Sequence, residues 1–330
     1  MKLLMLSADD VKKAASMAEA IPVVKAALAQ LSTGKAVVPL RIQLPVEPRG
    51  GNTLFMPAYL SESGALGVKV VSVFPRNLGK GIPTISAIII VMDATTGCPV
   101  AIIDGAYLTA LRTGAASGVA TELLARKDAE VAAVFGAGAQ ARTQLLAVCE
   151  VRDIKRALVF ARTREKVEVY VEEMRGKGHI PQDLHVASSP AEAVREADVI
   201  CTATTSPIPV FDGNDLRSGS HINAIGAFTP QMQEVDKVTI KRADKIVVDS
   251  RKACLAEAGD IIIPLRKGFI TEDDIHAELG EVAVGLRLGR EGDGEITYFK
   301  SVGNAVQDMA VALQVLKKAR QMELGREVEI

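Results

Sequence analysis

The segment Val131-Ala-Ala-Val-Phe-Gly-Ala-Gly-Ala-Gln-Ala-Arg142 constrains the fold more than any other part of the chain. An apolar run, Val131–Phe135, enters Gly136-Ala-Gly138-Ala139-Gln140-Ala141, and an Ala-, Leu- and Gln-rich stretch of helical character follows. Strand, glycine turn and helix in that order match the G-x-G-x-x-G/A pattern of a dinucleotide-binding unit. Gly136 permits a tight turn, Gly138 offers no side chain to block a pyrophosphate, and Ala141 lets the helix pack closely on the strand. The helix N-terminus then presents free N–H groups and a partial positive charge to phosphates. Glycine- and alanine-rich turns are common, so the flanking strand and helix carry the reading.

The next strand, Arg156-Ala-Leu-Val-Phe-Ala161, ends where an NAD enzyme places an acid on the ribose 2′-OH. Here the chain reads Arg162-Thr163-Arg164, with no acid before Glu165. A carboxylate would repel a 2′-phosphate, whereas a guanidinium grips it through paired charge-assisted hydrogen bonds. The pattern predicts NADP(H) in preference to NAD(H), with NAD(H) still admissible. The alternative is a pair of arginines in a solvated turn.

From Val131 onward, strand candidates (VAAVFGA, ALVFA, HVA, VICTATT, HINAIGA, KIVVDS) alternate with segments of helical pattern. That alternation predicts an α/β fold built on a doubly wound parallel sheet of the Rossmann type. Residues 36–103 instead alternate short apolar runs with turn clusters and predict a separate, smaller β-rich sheet. Ser7-Ala-Asp-Asp10 predicts a capping box opening a helix to about Leu31. Helices are also expected from Asp104 to about Arg126 and from about Asn304 to Gln321, the last returning to the first domain. The expected division is a substrate-binding domain at 1–115 completed by 304–330, and a dinucleotide-binding domain at 116–303.

Length and charge narrow the function. A chain of 330 residues suits two domains. Lys and Arg (39) balance Asp and Glu (40), which leaves no basic stripe for nucleic acid and no membrane patch. Apolar runs such as Ala87–Met92 are strand-length, and the N-terminus MKLLMLSADD lacks the apolar core of a signal peptide. Cys98, Cys149, Cys201 and Cys254 are widely spaced, and the four histidines (His179, His185, His221, His276) form no ligand pair. No metal site is predicted, and the cysteines read as buried thiols of a reducing cytoplasm.

Three cations stand among apolar neighbours: Arg41 between Leu40 and Ile42, Lys69 in Gly67-Val-Lys-Val-Val71, and Arg112 in Leu108-Thr-Ala-Leu-Arg-Thr-Gly114. Such groups are seldom buried without a partner, and an anionic ligand is one candidate. Solvated faces, or a nearby Asp or Glu, are the other.

Taken together, Leu54-Phe-Met-Pro-Ala58, Gly67–Ser72, Phe74-Pro-x-Asn77, Gly81-Ile-Pro-Thr84, Asp104 with Thr109–Thr113, Phe135–Gln140, His221–Gly226, His276–Glu281 and Ser301–Asp308 resemble the ornithine cyclodeaminase/mu-crystallin family in order and over nearly the whole chain. The resemblance implies a Rossmann domain with a dimerising substrate domain, and a homodimer. It implies that Arg41, Lys69 and Arg112 bind a substrate carboxylate, with Lys69 also the proton-transfer group. It implies cofactor contacts at Thr84, Thr113, Ala139, Gln140, Thr204 and Gly303, beside Gly136, Gly138, Arg162, Thr163 and Arg164.

One departure is informative. Where ornithine cyclodeaminases carry an Asp after the strand equivalent to Ile222–Ala227, this chain reads Ala227-Phe228-Thr229-Pro230. Phenylalanine neither pairs with an ammonium nor acts as a base, so cyclodeamination is disfavoured. Phe228 would suit an aliphatic ring or pack the domain interface. The resemblance therefore implies an NADPH-dependent reductase of cyclic ketimines, with Δ1-pyrroline-2-carboxylate foremost and its six-membered homologue second. An alanine or other amino-acid dehydrogenase and a non-catalytic NADPH-dependent binding protein are the rivals. Asp308, near the start of the last helix, is expected to meet the helix dipole or the cofactor.

Overall fold

The structure, a computed structural model, describes all residues from Met1 to Ile330. In chain order the strands are β1 (Lys2–Leu6), β2 (Ala36–Val37), β3 (Ile42–Val46), β4 (Gly51–Leu60), β5 (Ala65–Val73), β6 (Ile85–Met92), β7 (Pro99–Asp104) and β8 (Val131–Phe135). They continue as β9 (Arg156–Phe160), β10 (Asp183–Val186), β11 (Val199–Thr202), β12 (His221–Ala224), β13 (Lys245–Val248), β14 (Ile275–Glu278), β15 (Thr297–Lys300) and β16 (Arg326–Glu329). The helices are α1 (Ala8–Ala14), α2 (Met17–Ser32), α3 (Gly105–Leu124), α4 (Ala139–Val151), α5 (Arg164–Met174) and α6 (Pro190–Glu196). After these come α7 (Lys237–Arg242), α8 (Arg251–Glu257), α9 (Gly259–Arg266), α10 (Leu279–Ala283) and α11 (Ala305–Gln321). The chain divides into two compact units, Met1–Arg112 with Asn304–Ile330, and Thr113–Gly303.

The first unit is a mixed sheet in the order β16-β1-β7-β6-β5-β4-β2, with β3 added on β4. Side chains alternate across its strands, so one face of β5 buries Ala65, Gly67 and Lys69 in turn. Helix α11 packs over β4 and β5. Gly67 allows that approach: a Cβ there would lie 2.9 Å from Met309 Sδ and 2.2 Å from the Ile90 carbonyl.

Near the N-terminus the single expected helix is two helices bent by 87°. Ser16 makes a second capping box with Glu19, each side chain taking the other's backbone N–H, and Ala15 between the helices is extended. The capping box at Ser7 forms with Asp10. Strands β1 and β16, which local pattern did not indicate, pair antiparallel with each other at the sheet edge.

The second unit has the order β10-β9-β8-β11-β12-β15-β13-β14, parallel throughout. Its strands are buried on both faces, as helix-covered parallel strands are. Phe135, Ile200, Ile222 and Tyr298 enter one core, and Val134, Val159 and Cys201 the other. Strand order reverses between β8 and β11, and ligands of such sheets bind at the carboxyl ends of strands around that point. Cys149, Cys201 and Cys254 are buried, but Cys98 is exposed, because it lies in the turn between β6 and β7. No single helix is long and apolar enough to cross a membrane.

Candidate functional site

In the second unit, β8 delivers the chain to Gly136 at φ 117°, where a Cβ would lie 2.6 Å from the Ala203 carbonyl. An L side chain would be strained there as well as obstructed. Gly138 is the N-cap of α4, and a Cβ at Gly138 would meet nothing within 4 Å. The turn is therefore open at Gly138, where a phosphate would approach the free N–H groups of α4. Ala139 is exposed and Gln140 half-buried at the start of the helix. Ala141 is fully buried against the sheet.

Two side chains that sequence reasoning missed secure this turn. Arg142 donates through Nη1 to the carbonyls of Ala137 at 2.7 Å and Gly138 at 3.2 Å. Its guanidinium also binds Glu173 and lies 5.1 Å from the Tyr170 ring centroid. Tyr170 Oη donates to the Ala141 carbonyl at 3.0 Å.

Arg162, Thr163 and Arg164 are all exposed after β9. Arg164 donates to Glu168 one turn along α5 at 2.9 Å, an exposed pair of small energetic weight. Arg162 has no ion pair within the chain comparable to that of Arg164. Thr113 is buried in α3. Thr204 donates its backbone N–H to Glu234 Oε1 at 2.5 Å. The Gly303 N–H, at φ 77°, donates to Asp249 Oδ2 at 2.9 Å. Thr84 lies in the first unit, where its carbonyl accepts from Phe74 N at 2.8 Å.

The first unit gathers the cations differently from expectation. Lys69 and Arg112 are buried (2% and 4% exposed), and both already hold a carboxylate of the chain itself. Lys69 Nζ lies 2.7 Å from Asp308 Oδ2, and Arg112 Nε donates to Asp308 Oδ1 at 2.9 Å. Arg112 Nη1 donates to Gln307 Oε1 at 2.8 Å. Asp308 stands in the first turn of α11, where a carboxylate meets the helix dipole, while the cap itself is Asn304, whose side chain accepts from Val306 N. Arg41 precedes β3 and is only half-buried, and its neighbours Leu40 and Ile42 are exposed, so its setting is not the apolar one its neighbours suggested.

The physical consequence falls on Lys69. Burial lowers its pKa from the ordinary lysine value to about 7, Asp308 opposes that fall, and the charges of Arg112 and Arg41 add to it. An amine that titrates near neutrality can give or take a proton at working pH. With Lys69 charged, three cations surround one carboxylate. The cluster therefore favours a further anion, and a planar carboxylate matches a guanidinium edge.

Phe228 is half-buried and packs on a core of the second unit.

A model of the ornithine cyclodeaminase/mu-crystallin family matches residues 1–323. Similarity extends over full chains. A Δ1-pyrroline-2-carboxylate reductase of Bacillus cereus is 41% identical over 327 residues, covering 99% of this chain and 100% of its own. The structure of Thermococcus litoralis Δ1-pyrroline-2-carboxylate reductase in complex with NADH and L-proline superposes with TM-score 0.95 at 46% identity, covering 99% of this chain and 100% of that one. An archaeal alanine dehydrogenase dimer with bound NAD gives TM-score 0.93 at 39% identity, covering 100% of both chains.

Proposed function

The chain belongs to the ornithine cyclodeaminase/mu-crystallin family, as an oxidoreductase of C=N or CH–NH bonds, and on that premise we propose that it reduces a cyclic ketimine carboxylate with NADPH. Δ1-Pyrroline-2-carboxylate, giving L-proline, is the proposed substrate, and Δ1-piperideine-2-carboxylate, giving L-pipecolate, is a second of the same class. The observation that carries the reading is the buried Lys69–Asp308–Arg112 cluster with Arg41 nearby.

The open Gly138 face, the α4 N-terminus and Arg162 fit a dinucleotide with a 2′-phosphate. When bound, the reduced nicotinamide supplies the electron pair and hydrogen that the imine carbon accepts. The chain's own residues do the rest. Arg112 and Arg41 take the carboxylate and fix the ring's orientation, so the reaction becomes an oriented, near-unimolecular step. Lys69, as its ammonium, donates the proton that the ring nitrogen needs, and Asp308 holds that ammonium in place. In proline oxidation the same amine, neutral, takes the proton back.

The 2′-phosphate preference rests on Arg162 and on the missing acid after β9. The Thermococcus litoralis relative holds NADH, so the two coenzymes must be compared directly. A second reading, an amino-acid dehydrogenase, draws on the full-length likeness to alanine dehydrogenase. One experiment separates them: the loss of reduced-nicotinamide absorbance with Δ1-pyrroline-2-carboxylate, or with pyruvate plus ammonia, using NADPH and NADH in parallel. Rapid loss with the imine alone supports the reductase. Loss only with pyruvate and ammonia replaces it with the dehydrogenase, and tight NADPH binding without turnover in any arm supports a binding protein.

We further propose a homodimer formed through the first unit. There Val37, Ile42, Leu44, Leu78 and Ile82 are all more than half exposed, which is a large apolar surface for a monomer. The related alanine dehydrogenase is a dimer. A sedimentation mass of one chain would overturn this. The proposed location is a reducing cytoplasm, where an exposed Cys98 thiol persists.

A further inference from the structure

We propose that Glu234 is a positioning residue for the nicotinamide half of the dinucleotide, acting by tying together the loops that leave β11 and β12. The inference rests on the dinucleotide reading of the second unit. It concerns a residue that no motif singles out.

The parallel pairing of β11 with β12 ends at Thr202 and Ala224. Beyond it the two chains run past the carboxyl edge of the sheet, on the β11 side of the switch point, where a ligand of such a sheet is held. One buried carboxylate takes hydrogen bonds from both. Glu234 Oε1 accepts from Thr204 N at 2.5 Å. Oε2 accepts from Thr202 Oγ1 at 2.9 Å, Gly226 N at 2.6 Å and Ala227 N at 3.0 Å. Gly226 makes the closure possible, since a Cβ there would lie 2.1 Å from the Thr204 carbonyl and 2.5 Å from Glu234 Oε1.

Glu234 is itself held. Asp260 Oδ1 accepts from Glu234 N at 2.7 Å and Val235 N at 3.1 Å, and Asp260 Oδ2 pairs with Lys300 Nζ at 2.8 Å. All three charged side chains are fully buried. A buried charge of this kind contributes little net stability, since well-packed apolar residues often serve as well or better. Four donors converging on one acceptor instead define the relative position of two loops to hydrogen-bond accuracy. The phosphate turn at Gly136–Gln140 and the arginine at 162 follow other strands, β8 and β9, and make no hydrogen bond to Glu234.

This separation gives the test. Full-length wild type, Glu234→Gln and Thr202→Val are titrated with NADPH, followed by its own fluorescence, and with 2′-phospho-ADP-ribose, which lacks the nicotinamide. In Glu234→Gln one acceptor atom becomes an NH2 donor facing N–H or O–H donors. NADPH affinity is expected to fall by about tenfold or more, with the nicotinamide emission moving toward that of free NADPH, while affinity for the fragment stays within about twofold. Thr202→Val removes one donor of four and is expected to give the same pattern at about threefold. It decides the matter if Glu234→Gln does not fold. Unchanged NADPH binding in the folded variants, or equal loss of both ligands, overturns the proposal. Failure of the wild type to bind either ligand, and NADH and ADP-ribose with them, overturns the dinucleotide reading, and this inference with it.

Discussion

Each unit buries a lysine–aspartate pair, Lys69 with Asp308 at 2.7 Å and Lys300 with Asp260 at 2.8 Å, but the charges around the two pairs are opposite. Burial lowers Lys69 to about 7, and the surplus positive charge of Arg112 and Arg41 adds to that fall against the opposing pull of Asp308. Beside Lys300 and Asp260 stands a second carboxylate, Glu234, whose pKa is raised by burial and by Asp260 and lowered by Lys300. Under the proposed function, the same pair is a proton-transfer device in one unit and a counter-ion in the other. Both pairs are buried and similar in geometry, so the sign of the neighbouring charge is what differs between them.

Removing each lysine in turn separates the two pairs. Lys69→Met is expected to lower imine-reducing kcat by about 10²–10⁴-fold, the range of a lost proton donor, with its melting temperature little changed because Arg112 still holds Asp308. Lys300→Met leaves two buried carboxylates without their cation and is expected to lose about 3–5 kcal/mol of stability in urea unfolding. If both variants lose stability alike and keep turnover alike, the distinction fails.

Arg41→Ala sharpens the account of the anion site. It is expected to raise KM for the imine by about tenfold, the value of one charge-assisted contact, with kcat changed much less. An unchanged KM would take Arg41 out of the carboxylate site.

The smallest effect is expected at the coenzyme. Arg162→Ala should weaken NADPH by about 0.5–1 kcal/mol, the weight of an exposed charge pair, leaving NADH binding as it is. A parallel loss for both coenzymes would show that Arg162 does not read the 2′-phosphate. The same substitution at Arg164, already paired with Glu168, should change neither.

What was legible in the sequence follows the same division. The phosphate turn is local: strand, two glycines and helix lie within a dozen residues, and each residue type states its backbone need. The parallel direction of strands β8 to β13 followed from the alternation of strand and helix, but their spatial order, with β15 between β12 and β13, did not. The partner of Lys69 and Arg112 was not legible, because Asp308 lies 196 residues from Arg112 and only the packing of α11 on β5 brings them together. Its position near a helix start pointed instead to capping, a role that Asn304 fills. Glu234 lies in a loop without periodicity, and its four donors come from strand ends that only sheet order makes neighbours. The break between α1 and α2 was readable in Ser16-Met-Ala-Glu19, a capping signal overlooked inside an apolar run.

The central claim is that Lys69 donates the proton and that Asp308 keeps it charged. It is tested most directly by kcat/KM for imine reduction against pH, in wild type and Asp308→Asn, since this quantity reports groups of the free enzyme. Reduction needs the ammonium, so wild-type kcat/KM should fall as pH rises through about 7. Asp308 raises the pKa of Lys69, so its removal should move that fall to lower pH. A profile without a fall near 7, or one that Asp308→Asn leaves in place, would contradict the account.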